Sequence, residues 1–158
     1  LIRHRLNKTK SENSLVDFAA TLVGVICYKN KGLFFHIGDG AALAFHDEKY
    51  QNFTASRPEN GHFSCETYFY TMDDWKDSLR FTTFENANTI FLMSDGLTNF
   101  SFSRDYTTVE ESFLQPIADY LAKEPSKTKA LRALSNTLST PQASKLNSDD
   151  KTLVWIKL

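Results

Sequence analysis

Three short apolar runs in this chain are each bounded by an acidic turn motif, and this arrangement narrows the folds that the chain can adopt. The runs resemble strands. The three motifs are Gly38-Asp39-Gly40, Ser94-Asp95-Gly96 and Ser148-Asp149-Asp150-Lys151-Thr152. Carboxylates placed where strands give way to turns can converge on one pocket, and carboxylate oxygens are the ligands that Mg²⁺ and Mn²⁺ prefer. The pattern therefore predicts a candidate metal site at the ends of core strands.

Size and composition favour one domain and argue against several kinds of partner. With 158 residues, 41% of them hydrophobic, the chain can bury a single core, so we predict one domain over residues 1–158. The 18 basic and 19 acidic residues give a net charge of −1, which argues against nucleic acid or an anionic membrane as a partner. Apolar stretches fall short of the roughly 20 residues that span a bilayer.

The cysteines bear on the cellular location of the protein, and the first residues bear on whether the chain is part of a longer protein. Cys27 and Cys65 show neither zinc-site spacing nor a disulfide framework, which favours a cytoplasmic location. The chain opens on Leu1 without an initiator methionine, and residues 1–10 resemble the last turns of a helix. We therefore expect the carboxy-terminal portion of a larger protein.

Hydrophobic patterning predicts strands in the first half of the chain. Residues 18–28 are almost continuously apolar and predict a strand buried on both faces, which residues 33–37 and 41–45 would extend into a three-stranded antiparallel meander. Asn30 and Gly32 could supply positive φ angles in the hairpin turn. Between these strands and residue 85 the pattern is least clear.

The second half combines strands with helices. Residues 89–93 and 152–158 are predicted strands. Between them we predict one helix capped by Thr107 or Thr108, and a second that runs from Ser126 to about Leu138 and ends near Pro141. Strands outnumber helices and the two types segregate, which predicts the α+β class with helices packed on antiparallel sheet.

The order of these motifs resembles that of the metal-dependent protein phosphatases of type 2C, in particular their compact bacterial branch. The segments that carry the resemblance are Gly38-Asp39-Gly40, Phe91-Leu92-Met93-Ser94-Asp95-Gly96-Leu97, Asp149-Asp150-Lys151-Thr152-Leu153 and Asp17-Phe18-Ala19-Ala20-Thr21-Leu22. The resemblance implies a four-layer αββα fold, in which two antiparallel sheets lie between helices. It also implies hydrolysis of phosphoserine or phosphothreonine in a phosphorylated protein substrate by water activated between two Mg²⁺ or Mn²⁺ ions.

The resemblance also assigns roles to the acidic motifs. Asp95 and Asp149 match the two late aspartates that bind metal in the family. Asp39 matches an aspartate that contributes to an additional, weaker metal site in some bacterial members. The residues expected to support these ligands without touching the metal are Asp150, Gly96 and Gly38.

The chain departs from the family pattern in two respects. Gly40 stands where the family usually has serine. Family members also carry an upstream Asp-Gly motif whose aspartate bridges both ions, and this chain lacks it. The resemblance therefore implies that this chain holds part of a binuclear site, is inactive alone, and has the missing amino-terminal segment of the same protein as its partner.

Two other interpretations stay open at this point. One is a catalytically incomplete phosphatase-like module that binds a protein partner or regulates a kinase. The other is an unrelated α+β domain whose Asp-Gly turns only shape loops. His36 and His46 are interpreted as structural or surface residues, and Ser94 lacks the Gly-x-Ser-x-Gly context of a nucleophile. Residues 59–62, together with Glu66 and Thr67, could form a substrate-facing loop or an ordinary surface connection.

Overall fold

The computed structural model describes residues 15–59 and 67–158, which form two antiparallel sheets and four helices after a 3₁₀ turn at Leu15–Phe18. The strands are β1 (Leu22–Tyr28), β2 (Lys31–Ile37), β3 (Ala41–Phe45), β4 (Phe53–Ser56), β5 (Arg80–Phe84), β6 (Thr89–Met93) and β7 (Leu153–Lys157). The helices are α1 (Asp95–Ser101), α2 (Glu111–Lys123), α3 (Lys127–Leu138) and α4 (Pro141–Leu146). The helix end predicted over residues 1–10, Cys65 and most of the 59–62 loop lie outside the described residues.

The strands divide between two sheets. Sheet A has the order β1-β2-β5 and sheet B the order β4-β3-β6-β7, and all neighbours are antiparallel. The predicted α+β antiparallel sandwich with flanking helices is confirmed. The predicted meander is wrong, because β3 leaves β2 and joins sheet B. Gly38 turns the chain from one sheet into the other. Its φ angle is 103°, which residues with a Cβ rarely adopt.

The β1–β2 hairpin also closes differently from the prediction. Lys29, with φ of 55°, takes the left-handed conformation that we expected at Asn30 or Gly32. The turn is therefore shorter, and β2 begins at Lys31 directly after it.

Sheet B forms the centre of the structure because both of its faces are covered. Its first face meets sheet A in an apolar cluster whose buried members are Phe34, Ala42, Ala44, Phe84, Ala87 and Ile90. Its second face meets the helices in a larger cluster that includes Leu43, Phe45, Phe91, Leu97, Leu114 and Leu138. Since neighbouring residues of a strand point to opposite faces, β3 is buried along its whole length.

The prediction that the first strand is buried on both faces is wrong. In β1, Ile26 is 65% exposed and Tyr28 is 69% exposed, whereas Val23 and Val25 pack into the sandwich. The outer face of sheet A is exposed beyond β1 as well, because Phe81 of β5, on the same face as Ile26, is 64% exposed. The residues that the structure describes thus form three layers, with sheet B between sheet A and the helices.

The start of the first predicted helix differs from the structure, whereas the second predicted helix agrees with it. The threonines at 107 and 108 do not cap a helix, because Val109 pairs with Phe102 in an isolated bridge and α2 begins only at Glu111. α3 follows Ser126 and ends at Leu138 as predicted, and Ser126 caps it by accepting a hydrogen bond from the amide of Lys129. Pro141 lies beyond the end of α3 and begins α4, where its missing N–H costs nothing. None of the helices in the described ranges is long and apolar enough to cross a membrane.

Truncation of Phe91 tests the central position of sheet B. Phe91 is fully buried between the sheet and the helices, so Phe91→Ala should lower the free energy of unfolding by about 3–5 kcal/mol. Ile26→Ala, on the exposed face of β1, should change it by no more than about 0.5 kcal/mol. Urea denaturation of both variants measures the difference, and equal losses would contradict the proposed layer order.

Candidate functional site

The register of sheet B brings the three acidic motifs to one end of the sheet. Met93, the last residue of β6, pairs with the first residue of β3 and with the first residue of β7. Asp39 precedes β3 by two residues, Asp95 follows β6 by two, and Asp149 precedes β7 by four. Because paired strands lie about 4.8 Å apart, the loops that carry the three aspartates are neighbours.

The loops of Asp95 and Asp149 are bound directly to each other. The Ser94 hydroxyl donates to the carbonyl of Asp150 at 3.1 Å and accepts from the amide of Thr152 at 3.0 Å. The amide of Ser94 donates to the carbonyl of Thr152 at 3.1 Å. A Cβ added at Gly96 would overlap the carbonyl oxygen of Asp150, so glycine permits this close approach. Asp150 supports the loop through its carbonyl.

The turn that carries Asp39 approaches the end of β6 from the other side. The Thr67 hydroxyl donates to Oδ2 of Asp39 at 2.7 Å, which fixes the orientation of the carboxylate. A Cβ added at Gly40 would lie 2.7 Å from the carbonyl oxygen of Met93. The glycine that replaces the expected serine therefore lets the turn lie against β6, where a larger residue would push it away.

Asp95 feels the charges of both other aspartates. Burial and then the negative charge of Asp39 raise the pKa of Asp95, and the charge of Asp149 raises it further. The amide of Gly96 opposes these effects by donating to Oδ1 at 2.8 Å. The ionised form of Asp95 is thus disfavoured by two like charges, which a bound cation would offset.

The Asp149 loop is held by neighbouring polar groups. The amide of Asp149 donates to Oδ1 of Asn147 at 2.9 Å. The ammonium of Lys151 donates to the carbonyls of Asn147 and Asp149 at 2.7 and 2.9 Å. These contacts shape the turn from the backbone side and use neither carboxylate oxygen of Asp149.

The carboxylates fit part of a metal site. Their oxygens are suitable ligands for a hard divalent cation, and their like charges favour one. Within residues 15–59 and 67–158, however, no three His, Cys, Asp or Glu side chains lie close enough together to hold an ion. The described residues therefore offer ligands for such an ion without a complete set.

Comparison with known proteins places the chain in a family. Residues 2–139 match the protein phosphatase 2C profile. The chain belongs to the protein phosphatase 2C family. It is similar to serine/threonine-protein phosphatase 3 of Escherichia coli (strain K12), with 27% identity over 157 residues, which are 96% of this chain and 61% of that protein.

A solved structure shows the same fold. The chain is similar to the crystal structure of a bacterial serine phosphatase that carries an arginine-to-glutamate substitution, with 17% identity and a TM-score of 0.54. The match covers 89% of this chain and 54% of that one. The family predicted from the motif order is confirmed, and the chain spans less than two thirds of both relatives.

A second polar cluster next to the Asp39 turn was not predicted as part of the site. Arg80 donates to the carbonyl of Gly38 at 2.9 Å, and its Nη2 lies 3.2 Å from Nδ1 of His36. That nitrogen also lies 2.9 Å from the Ser56 hydroxyl. His36 is fully buried, in keeping with its structural interpretation. Arg80 belongs to no local motif, so only the tertiary structure identifies it, whereas Thr67 falls in the segment that was predicted as a possible substrate-facing loop.

The burial of His36 predicts a pH dependence of stability. Burial, assisted by the charge of Arg80, lowers the pKa of His36 from 6.5 to about 3. Between these values the unfolded state binds a proton that the folded state does not, so stability should fall as the pH drops below 6.5. The contribution is at most roughly 1.4 kcal/mol per pH unit.

His36→Asn keeps an acceptor close to the position of Nδ1 but cannot be protonated in this range. Urea denaturation between about pH 7 and pH 5 should therefore show a shallower loss of stability in the variant than in the wild type. Parallel pH profiles would show that His36 does not cause the dependence.

Proposed function

We propose that this chain contributes part of a binuclear Mg²⁺ or Mn²⁺ site that hydrolyses phosphoserine and phosphothreonine in proteins. The observation that carries the proposal is the strand register that brings the loops of Asp39, Asp95 and Asp149 side by side at one end of sheet B, where the charges of Asp39 and Asp149 act on Asp95. Membership of the protein phosphatase 2C family supports the reaction class. The phosphorylated protein substrate and the cytoplasmic location stay predictions.

Each residue of the site would have a distinct task. Asp95 and Asp149 would hold the metal, and Asp39 would serve a weaker additional ion. The Gly96 amide, bonded to Oδ1 of Asp95, orients that carboxylate and leaves Oδ2 available. Asn147 keeps the Asp149 loop in shape. When bound, Mg²⁺ or Mn²⁺ would lower the pKa of a water molecule and offset the charge of the phosphate.

The remaining ligands would come from outside this chain. In the described part of the structure, β1 and β7 each have one edge without a paired strand. A cavity of about 190 Å³ between the sheets is lined by residues of both strands, among them Val23 and Val154. We propose that the missing amino-terminal segment of the same protein adds strands along these edges, beside the Asp149 loop. The difference in length from the relatives supports this proposal.

A non-catalytic module is the second candidate function. It is favoured by the lack of a three-ligand cluster within residues 15–59 and 67–158. Such a module would keep the fold and bind a protein partner or regulate a kinase. The two candidates differ in one measurable property, which is metal-dependent hydrolysis.

Replacement of the central aspartates tests the catalytic candidate. In the full-length gene product, Asp95→Asn and Asp149→Asn should each lower the Mn²⁺-dependent hydrolysis of an aryl phosphate by more than about 100-fold, because even groups that only orient metal ligands contribute 10–100-fold. Asp119→Asn is the matched control, since Asp119 is an exposed carboxylate on α2. It should leave the rate unchanged.

The outcomes separate the two candidates. Hydrolysis that survives Asp95→Asn would contradict the metal role of this residue. A full-length protein that folds but shows no Mn²⁺-dependent hydrolysis would favour the non-catalytic module.

A further inference from the structure

We propose that Arg80 is a positioning residue that holds the Gly38-Asp39-Gly40 turn in place beside the candidate metal site. The importance of Asp39 for metal binding rests on the proposed function. The hold on the turn rests only on the contacts of the guanidinium group, and the two can be tested separately.

The guanidinium of Arg80 joins two separate loops. Its Nη2 donates to the carbonyl of Gly38 at 2.9 Å, in the turn that follows β2. Its Nη1 donates to the carbonyl of Arg57 at 2.7 Å, in the segment that follows β4. Because β2 belongs to sheet A and β4 to sheet B, Arg80 fixes the end of one sheet against the end of the other.

The same carbonyl of Gly38 is held a second time. The amide of Glu59 donates to it at 3.2 Å, and the carboxylate of Glu59 lies 2.8 Å from Nε of Arg80 in an ion pair. The peptide unit that contains this carbonyl continues into the amide of Asp39. Since the unit is planar, fixing the carbonyl also fixes the direction in which the chain enters Asp39.

His36 helps to hold the guanidinium itself in place. Nη2 lies 3.2 Å from Nδ1 of His36, and because arginine can only donate, Nδ1 acts as the acceptor of a neutral ring. The Arg80 side chain is only 27% exposed. Arginine suits this position because its rigid fork reaches two carbonyls at once, which the single ammonium of lysine does not do.

Amide hydrogen exchange of the 158-residue chain tests the hold without any metal. In Arg80→Met, the amides of residues 38–40 and 59 should exchange about tenfold faster, while those of β6 should keep their wild-type rates. Arg132→Met is the matched control, because Arg132 is an exposed arginine on α3. It should leave the turn unchanged.

A conservative variant separates loss of the contacts at the turn from general unfolding. Arg80→Lys keeps the positive charge beside Glu59 and should still speed exchange in the turn, because one ammonium cannot hold both carbonyls. Unchanged exchange in the turn, or an equal increase throughout the chain, would overturn the proposal.

Calorimetric titration with Mn²⁺ alone tests the link to Asp39. Arg80→Met should weaken Mn²⁺ binding by about tenfold in the wild-type background and should have no effect in the Asp39→Asn background. Equal weakening of Mn²⁺ binding in both backgrounds would contradict the proposal that Arg80 acts through Asp39. Faster exchange in the turn, together with a full-length gene product that binds no Mn²⁺, would refute the proposed function and support the hold by Arg80.

Discussion

The pairing of β6 with β3 on one side and with β7 on the other is the constraint on which the candidate site depends. It places three loops that are far apart in sequence side by side at one end of sheet B. A shift of one residue in either pairing would turn the buried side chains of β6 to the opposite face. The packing of Phe91 and Ile90 on their two faces therefore also stabilises this register. The core and the site are thus set by the same strand.

The placement of three acidic loops at one end of sheet B has an electrostatic cost. Burial and the charges of Asp39 and Asp149 raise the pKa of Asp95, so the ionised site opposes folding when no cation is bound. The structure limits this cost with local contacts. The Gly96 amide donates a hydrogen bond to Asp95, and the Thr67 hydroxyl donates one to Asp39. The hydroxyl of Ser94 binds the Asp149 loop to the end of β6.

Much of this arrangement could be predicted from the sequence, because continuous apolar runs such as β3 and β6 indicate core strands and the aspartates stand at their ends. The exposed face of β1 could not be predicted from the sequence, since an apolar run does not show whether another layer covers it. The passage of β3 into sheet B depends on the φ angle of Gly38. Arg80 reaches the Asp39 turn from the start of β5, a contact that only the fold creates.

Paramagnetic broadening of amide NMR signals by Mn²⁺ is the most direct test of the central claim, which is that the three loops bind divalent cations together at one end of sheet B. On titration of the full-length gene product, the amides of the loops that carry Asp39, Asp95 and Asp149 should broaden together and at lower Mn²⁺ concentration than those around other carboxylates. Broadening that begins at exposed carboxylates elsewhere, such as Asp74 or Asp119, and reaches the three loops separately would contradict the account.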